Sequence, residues 1–146
     1  MIGLLQRVTE AQVDVSGETV AAIGKGLMVL IGVERHDEAA QADRLLERVL
    51  GYRVFSDSAG KMNLSLHDVE GDLLLVPQFT LPANTDKGMR PSFTPAAAPE
   101  DGEKFFNYLM AQAREKHGAV QSGRFGAEMQ VRLINDGPVT FWLQTK

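Results

Sequence analysis

Two short segments hold the residue types from which chemistry could be built. Asn135-Asp136-Gly137-Pro138-Val139-Thr140 lies between apolar runs near the C-terminal end, and Gln78-Phe79-Thr80 follows a run of leucine and valine. Asp-Gly between alternating hydrophobic segments signals a two-residue hairpin turn. Such a turn closes with the N–H of the residue after the glycine, and Pro138 has none. Proline also drives Gly137 away from helical backbone angles. Gly137-Pro138 is thus badly suited to simple chain reversal, whereas glycine allows bare backbone to come close to a ligand. In the second segment, a strand breaking into a loop can aim consecutive backbone N–H groups at one spot and hold an anion or a developing oxyanion. The plainer reading is that Gln78, Phe79 and Thr80 end a strand.

Side-chain chemistry is sparse. Thr80, Ser92 and Thr140 are hydroxyls in unusual places, but a hydroxyl nucleophile needs an activating base and none is adjacent in sequence. His36, His67 and His117 fall near a helix start, in a polar turn and near a helix end, where surface roles are expected for all three. Gly-x-Ser-x-Gly, the phosphate-cradling Gly-x-x-x-x-Gly-Lys, Gly-x-Gly-x-x-Gly and His-Glu-x-x-His are all absent. With no cysteine, disulfides, thiolate catalysis and cysteine-based zinc sites are excluded. No metal or cofactor is expected.

Composition sets the frame around these segments. The chain has 146 residues, 44% hydrophobic and 23% charged, which fits a single domain spanning 1–146. Fifteen Lys and Arg against 19 Asp and Glu leave a net charge of −4, so non-specific coating of nucleic acid is not expected and any RNA contact must be local. Arg7, Lys25, Lys61, Lys87, Arg90 and Arg124 are the cations that could form such a patch, with scattered solubilising charge as the alternative. Met1 to Arg7 lacks the form of a signal peptide and no run reaches membrane-spanning length, so a cytosolic protein is expected.

The elements that must position the two segments can be read from periodicity. Ala11, Val13 and Val15 alternate with polar residues, Ser16-Gly17 marks a turn, and Val20 and Ala22 resume the alternation. Leu27 to Val33 reads as a central strand covered on both faces. A helix follows, with Asp37 as cap, a face of Ala42, Leu45, Leu46, Val49 and Leu50, and Gly51 as stop. Tyr52 to Phe55 and Leu73 to Val76 are further strands. Four of the six prolines lie between Pro82 and Pro99, which predicts a long stiff loop. Pro99 opens a second helix burying Phe105, Phe106, Leu109, Met110 and Ala113, with Gly118 past its end. Two final strands carry Met129, Val131 and Leu133, then Val139, Phe141 and Leu143. The expected fold is α+β: an antiparallel sheet or partly closed β-barrel with two packed helices. Open strand edges at this size favour a homodimer.

Five segments, taken together, are specific. Gly60-Lys61-Met62-Asn63-Leu64-Ser65, Gln78-Phe79-Thr80-Leu81, Lys87-Gly88-Met89-Arg90-Pro91-Ser92-Phe93, Gly123-Arg124-Phe125-Gly126-Ala127-Glu128-Met129 and Asn135-Asp136-Gly137-Pro138-Val139-Thr140 resemble the D-aminoacyl-tRNA deacylase family, in order and at family spacing from Arg7-Val8 onward. The resemblance implies a homodimeric α+β barrel that hydrolyses the ester between a D-amino acid and the terminal adenosine of tRNA, and also clears glycine from alanine tRNA. It further implies an active site at the dimer interface, where Gly137-Pro138, with a cis bond, enters the partner's pocket and rejects L side chains. Backbone near Gln78, Phe79 and Thr80 would position the ester, Met129 would lie near the substrate, and Arg7 and Asn135 would steady the motif. The terminal ribose 2′-hydroxyl would assist the attack of water. One departure stands out, since the family's Ser-Gln-Phe-Thr-Leu has Pro77 here in place of serine. That residue supplies neither hydroxyl nor N–H, and it supports an alternative reading as a non-catalytic dimeric module for aminoacyl-tRNA ends or a related nucleotide ester. A third reading makes Gly137-Pro138 a dimer-packing turn.

Overall fold

A computed structural model describes residues 1–146. Strand β1 (Ile2–Val15) turns at Ser16-Gly17, whose φ angles of 50° and 81° are the left-handed pair that a tight hairpin requires. β2 (Glu18–Ile23) and β3 (Gly26–Gly32) then run back along it, from Val15 opposite Glu18 to Ile2 opposite Gly32. The β1/β2 ladder slips between Val13 and Asp14. That slip reverses the expected facing of β2: Ala21 and Ile23 are buried, whereas Ala22 is exposed and Val20 only half-buried.

The sheet is mixed, which corrects the antiparallel expectation. β6 (Asp72–Pro77) lies parallel to β3, and β7 (Val120–Ser122), which periodicity did not reveal, lies parallel to β6. Each parallel pair needs a crossover. The first contains α1 (Ala39–Gly51) and a small hairpin of β4 (Phe55–Ser56) and β5 (Met62–Leu64), and the second contains α2 (Pro99–Lys116). β6 is buried at four consecutive residues, as a strand covered on both faces should be. β8 (Gln130–Gln144) pairs antiparallel with the free side of β1, so the strand order is β8–β1–β2/β3–β6–β7, curled nearly into a barrel. Gly26 sits where β3 and β6 meet most closely; a Cβ there would lie 1.9 Å from the Asp72 carbonyl oxygen.

Two apolar layers result. One face of the sheet packs on the helices through Leu5, Val29 and Leu75 against Leu45, Leu46 and Val49 of α1 and Phe106, Leu109 and Ala113 of α2. The inner face gathers Val8, Val13, Met28, Leu74 and Val76, with Met129, Val131 and Leu133 at its margin. Burying each such aliphatic or aromatic side chain contributes ~1.5–3 kcal/mol. Phe105 and Leu50, expected on the buried faces, are half-buried.

Two local expectations change. Glu38, not Asp37, caps α1, its N–H donating to Gln41 Oε1 at 2.8 Å. Asp37 is occupied elsewhere: it accepts the Met1 ammonium at 2.8 Å and the Glu34 N–H at 2.7 Å. His117 is buried, with Nε2 2.6 Å from the Gly71 carbonyl oxygen, because the chain folds back over the end of α2. His36 and His67 are exposed, as read from the sequence.

The Met1 ammonium is fully buried and also bonded to Glu34 at 2.9 Å and to the Thr145 carbonyl at 2.9 Å, tying β1 to the chain's last residues. Asp37→Ala is expected to destabilise the fold by ~1–3 kcal/mol, the range for losing a buried hydrogen bond to a charged group, since Glu34 still pairs the ammonium. Urea unfolding measures this as a drop in midpoint, and a drop worth under ~1 kcal/mol would contradict it.

Candidate active site

Asn135 to Thr140 does not reverse the chain. Both halves of β8 run in one direction along β1, with Asn135 opposite Val8 and Thr140 opposite Gln6. Two steps on β1 therefore span five on β8, and Asp136 to Val139 leave the ladder as a bulge opposite Arg7. The two terminal strands expected from the pattern are one strand with an outward kink, because the broken ladder is repaired by side chains. Asn135 Nδ2 donates to Thr140 Oγ1 at 2.8 Å, and the Val139 N–H donates to Asn135 Oδ1 at 3.1 Å. Arg7 reaches across from β1, Nε donating to the Asp136 carbonyl at 3.1 Å and Nη1 to the Val54 carbonyl at 2.7 Å, with the Asp136 carboxylate 3.4 Å away. Gly137 and Pro138 are exposed at the summit, joined by a cis peptide. Gly137 has φ +129°, and a Cβ there would lie 2.7 Å from Val139 Cγ2 and 3.1 Å from Arg7 Nη2.

The second segment leaves the sheet immediately after Pro77. The Gln78 N–H continues the ladder, donating to the Ile31 carbonyl at 2.8 Å, so it is not free to meet a ligand. The chain then turns tightly, Leu81 N–H to the Gln78 carbonyl at 3.2 Å and Ala83 N–H to the Thr80 carbonyl at 3.1 Å. Between them the N–H groups of Phe79 and Thr80 find no acceptor in the chain. Gln78 Nε2 donates to Thr80 Oγ1 at 2.6 Å. Phe79 is exposed, its ring 5.5 Å from that of Phe93.

Met129 belongs with this segment. Its sulfur accepts the Arg124 N–H at 3.3 Å and lies directly over Gly123, where a Cβ would be 2.9 Å from the sulfur and 3.3 Å from Pro77 Cδ. Phe93 and Gly123 entered the sequence reading only as parts of the resemblance motifs, with no role given to either, and the Val54 carbonyl was not singled out, its signal being tertiary contact alone. Asn135, where the bulge begins, is six residues along the strand from Met129, roughly 20 Å of extended chain. No hydrogen bond joins the bulge to residues 78–80. One chain thus holds two half-sites: the free amides just past Pro77, with Met129 across Gly123 from that proline, and an outward Gly-Pro summit.

Neither half-site contains an acid–base pair. Thr80 and Thr140 hydroxyls are bonded to amides, not to a carboxylate or imidazole. The clearly perturbed ionisable groups lie elsewhere. Hydrogen bonds from Gln12 and then Thr19 hold the Asp14 carboxyl below its usual range, the Ser65 N–H and hydroxyl do the same for Asp68, and the bond to Asp43 raises Tyr108. One concavity of about 480 Å³ is an open polar groove between α1 and α2 lined by Asp43, Arg44 and Tyr108, away from both half-sites. What the half-sites can do is stabilise an oxygen anion and present rigid backbone to a small group.

Comparison with known proteins adds the context. The family model described as D-Tyr-tRNA(Tyr) deacylase matches residues 4–144. A D-aminoacyl-tRNA deacylase from Nitrosococcus oceani is 65% identical, the match covering 99% of this chain and 93% of that protein. One from Pseudomonas fluorescens is 62% identical over 99% of this chain and all (100%) of its own. Among solved structures, a protein described as c-Myc DNA Unwinding Element Binding Protein superposes with TM-score 0.96 at 39% identity, covering 100% of this chain and 99% of its own. A probable eukaryotic D-amino acid tRNA deacylase shares the fold at TM-score 0.88 and 19% identity, covering 99% and 98%. The chain therefore belongs to the D-Tyr-tRNA(Tyr) deacylase family and is an aminoacyl-tRNA editing hydrolase.

Proposed function

We propose that this enzyme cleaves the ester between a D-amino acid and the terminal adenosine of tRNA in a site completed by a second copy of the chain, with glycyl-tRNA(Ala) as a further substrate. The free N–H groups of Phe79 and Thr80 carry the reading. Water adds to the ester carbonyl carbon, the carbonyl oxygen becomes an oxyanion held by these two donors, and the ribose 3′-oxygen leaves with a proton as the tetrahedral species collapses. A donor of this kind contributes ~2.7–4 kcal/mol to the transition state. The ribose 2′-hydroxyl supplies the proton transfers that no side chain here is placed to perform, and neither metal nor cofactor has a part in the scheme.

Discrimination falls to Gly137-Pro138 of the partner copy. Its exposed summit abuts the α-carbon substituent and excludes an L side chain, while glycine has nothing to exclude. Arg7 and Asn135 keep the summit rigid, and Met129 borders the substrate. An enzyme that reads only the end of an aminoacyl-tRNA needs few phosphate contacts, which suits a net charge of −4 and a cytoplasmic setting. The same acidity disfavours duplex DNA as a ligand, despite the name of one structural relative.

Pro77 favours one other reading, a module that binds such ends without cleaving them. Purified protein is expected to hydrolyse D-tyrosyl-tRNA at least ~10²-fold faster than L-tyrosyl-tRNA, the discrimination a steric pocket can supply. Comparable rates would overturn the proposal, and tight binding of a D-aminoacyl adenosine analogue with no turnover of the D-substrate would support the module.

A further inference from the structure

The long proline-rich loop is built as a stiff arm on the same segment that carries the free amides. It departs at Pro82, two residues after Thr80, and folds back to Phe93, whose ring rests near that of Phe79 at 5.5 Å. Its base is pinned. Pro82 packs on Gly32 so closely that a Cβ there would lie 2.9 Å from Pro82 Cδ. Asn84 and Ser92 exchange both backbone hydrogen bonds, at 2.8 and 2.9 Å. Beyond them the Arg35 N–H donates to the Pro95 carbonyl at 2.8 Å and the Ala97 N–H to the Val33 carbonyl at 3.0 Å.

The tip, residues 85–91, is wholly exposed. Its shape comes from local chemistry rather than burial: Asn84 Oδ1 accepts the Asp86 N–H at 2.8 Å, Gly88 takes φ +68°, and Pro91 restricts the return. Met89 is fully exposed at 102%, flanked by Lys87 and Arg90, neither of which enters any of the ion pairs or side-chain hydrogen bonds of the structure. A pre-shaped loop loses little entropy on binding. Two unpaired cations around a bare thioether match a single-stranded nucleic acid, which offers phosphates to the cations and an unstacked base to the methionine. Such a local cationic site is what a chain of net charge −4 requires to hold an anionic partner.

We propose that this loop grips the single-stranded 3′ end of the RNA, Lys87 and Arg90 contacting phosphates 5′ of the ester-bearing nucleotide and Met89 lying against a base. This rests on the tRNA-directed reading above. The test is binding of uncharged tRNA by the full chain across a series of KCl concentrations, for wild type and the Lys87→Ala/Arg90→Ala double variant. At about 0.7 per phosphate on a single strand, the slope of log K against log[salt] should become shallower by about 1.4. Affinity at low salt should fall about tenfold. KM for D-tyrosyl-tRNA should rise by the same factor with kcat unchanged, whereas D-tyrosyl-adenosine, which has no phosphate, should be cleaved at the wild-type rate. An unchanged slope, or an equal loss on D-tyrosyl-adenosine, would overturn the proposal. A shift of the variant toward monomer in sedimentation would instead assign the loop to contact between copies and overturn it likewise. If wild type binds tRNA with the predicted slope but hydrolyses no D-substrate, the catalytic proposal fails and the loop assignment stands.

Discussion

Gly137→Ala is expected to lower kcat/KM for D-tyrosyl-tRNA by at least ~10²-fold, the scale of loss when a positioning group moves by about 1 Å. The backbone at Gly137, with φ +129°, lies where L side chains rarely go, and the new Cβ would meet Val139 Cγ2 at 2.7 Å and Arg7 Nη2 at 3.1 Å. Relief requires Val139 to move, whose backbone N also lies 3.0 Å from the new Cβ and donates to Asn135 Oδ1, and Arg7, which holds the Asp136 carbonyl, to give as well. The summit then moves with them. Fold stability should change far less, by ~1–2 kcal/mol, since the strain is confined to one exposed residue of the bulge. Steady-state kinetics on D- and L-tyrosyl-tRNA, paired with urea unfolding and sedimentation, separate the outcomes. Weakened association with unaltered kinetics would make Gly137-Pro138 a packing turn and remove it from the site.

A tRNA ending in 2′-deoxyadenosine, acylated on its 3′-oxygen with D-tyrosine, is expected to be hydrolysed ~10²- to 10⁴-fold more slowly, the usual worth of a positioned acid–base group. Thr80→Ala should stay within about tenfold of wild type on the ordinary substrate, because the unpaired N–H, not the hydroxyl, is the proposed oxyanion donor. Thr80 Oγ1 is bonded to Gln78 Nε2 at 2.6 Å and to no base. The variant leaves that amide to water at an exposed position, a small cost. Single-turnover rates on the two substrates decide the matter. If the deoxy substrate reacts at the normal rate and Thr80→Ala is inactive, the threonine is the nucleophile and the substrate-assisted scheme fails.

The sequence made many elements legible, and for a common reason. The α1 stripe of Ala42, Leu45, Leu46 and Val49, the opening of α2 at Pro99 and the Ser16-Gly17 turn all follow from interactions within a few residues. Where a local signal failed, a distant partner had intervened. Asp37 looked like a cap, but the Met1 ammonium occupies it. His117 looked like a surface residue, but the Gly71 carbonyl holds it. Parallel pairing of β3 with β6 ran against the antiparallel expectation, because a continuous apolar run marks a strand covered on both faces and does not name its partner.

The candidate site divides along the same line. Sequence by itself determined that Gly137-Pro138 could not close an ordinary hairpin, that Gln78-Phe79-Thr80 ends a strand, and that acid–base side chains are scarce. Tertiary structure alone decided that the chain continues through the bulge rather than reversing, that Ile31 takes the Gln78 N–H and leaves those of Phe79 and Thr80 free, and that Arg7 crosses to Asp136. Turn chemistry and strand endings depend on backbone angles that each residue and its neighbours set. Which N–H stays unpaired depends on the register between strands far apart in the chain, and only the assembled sheet specifies that register.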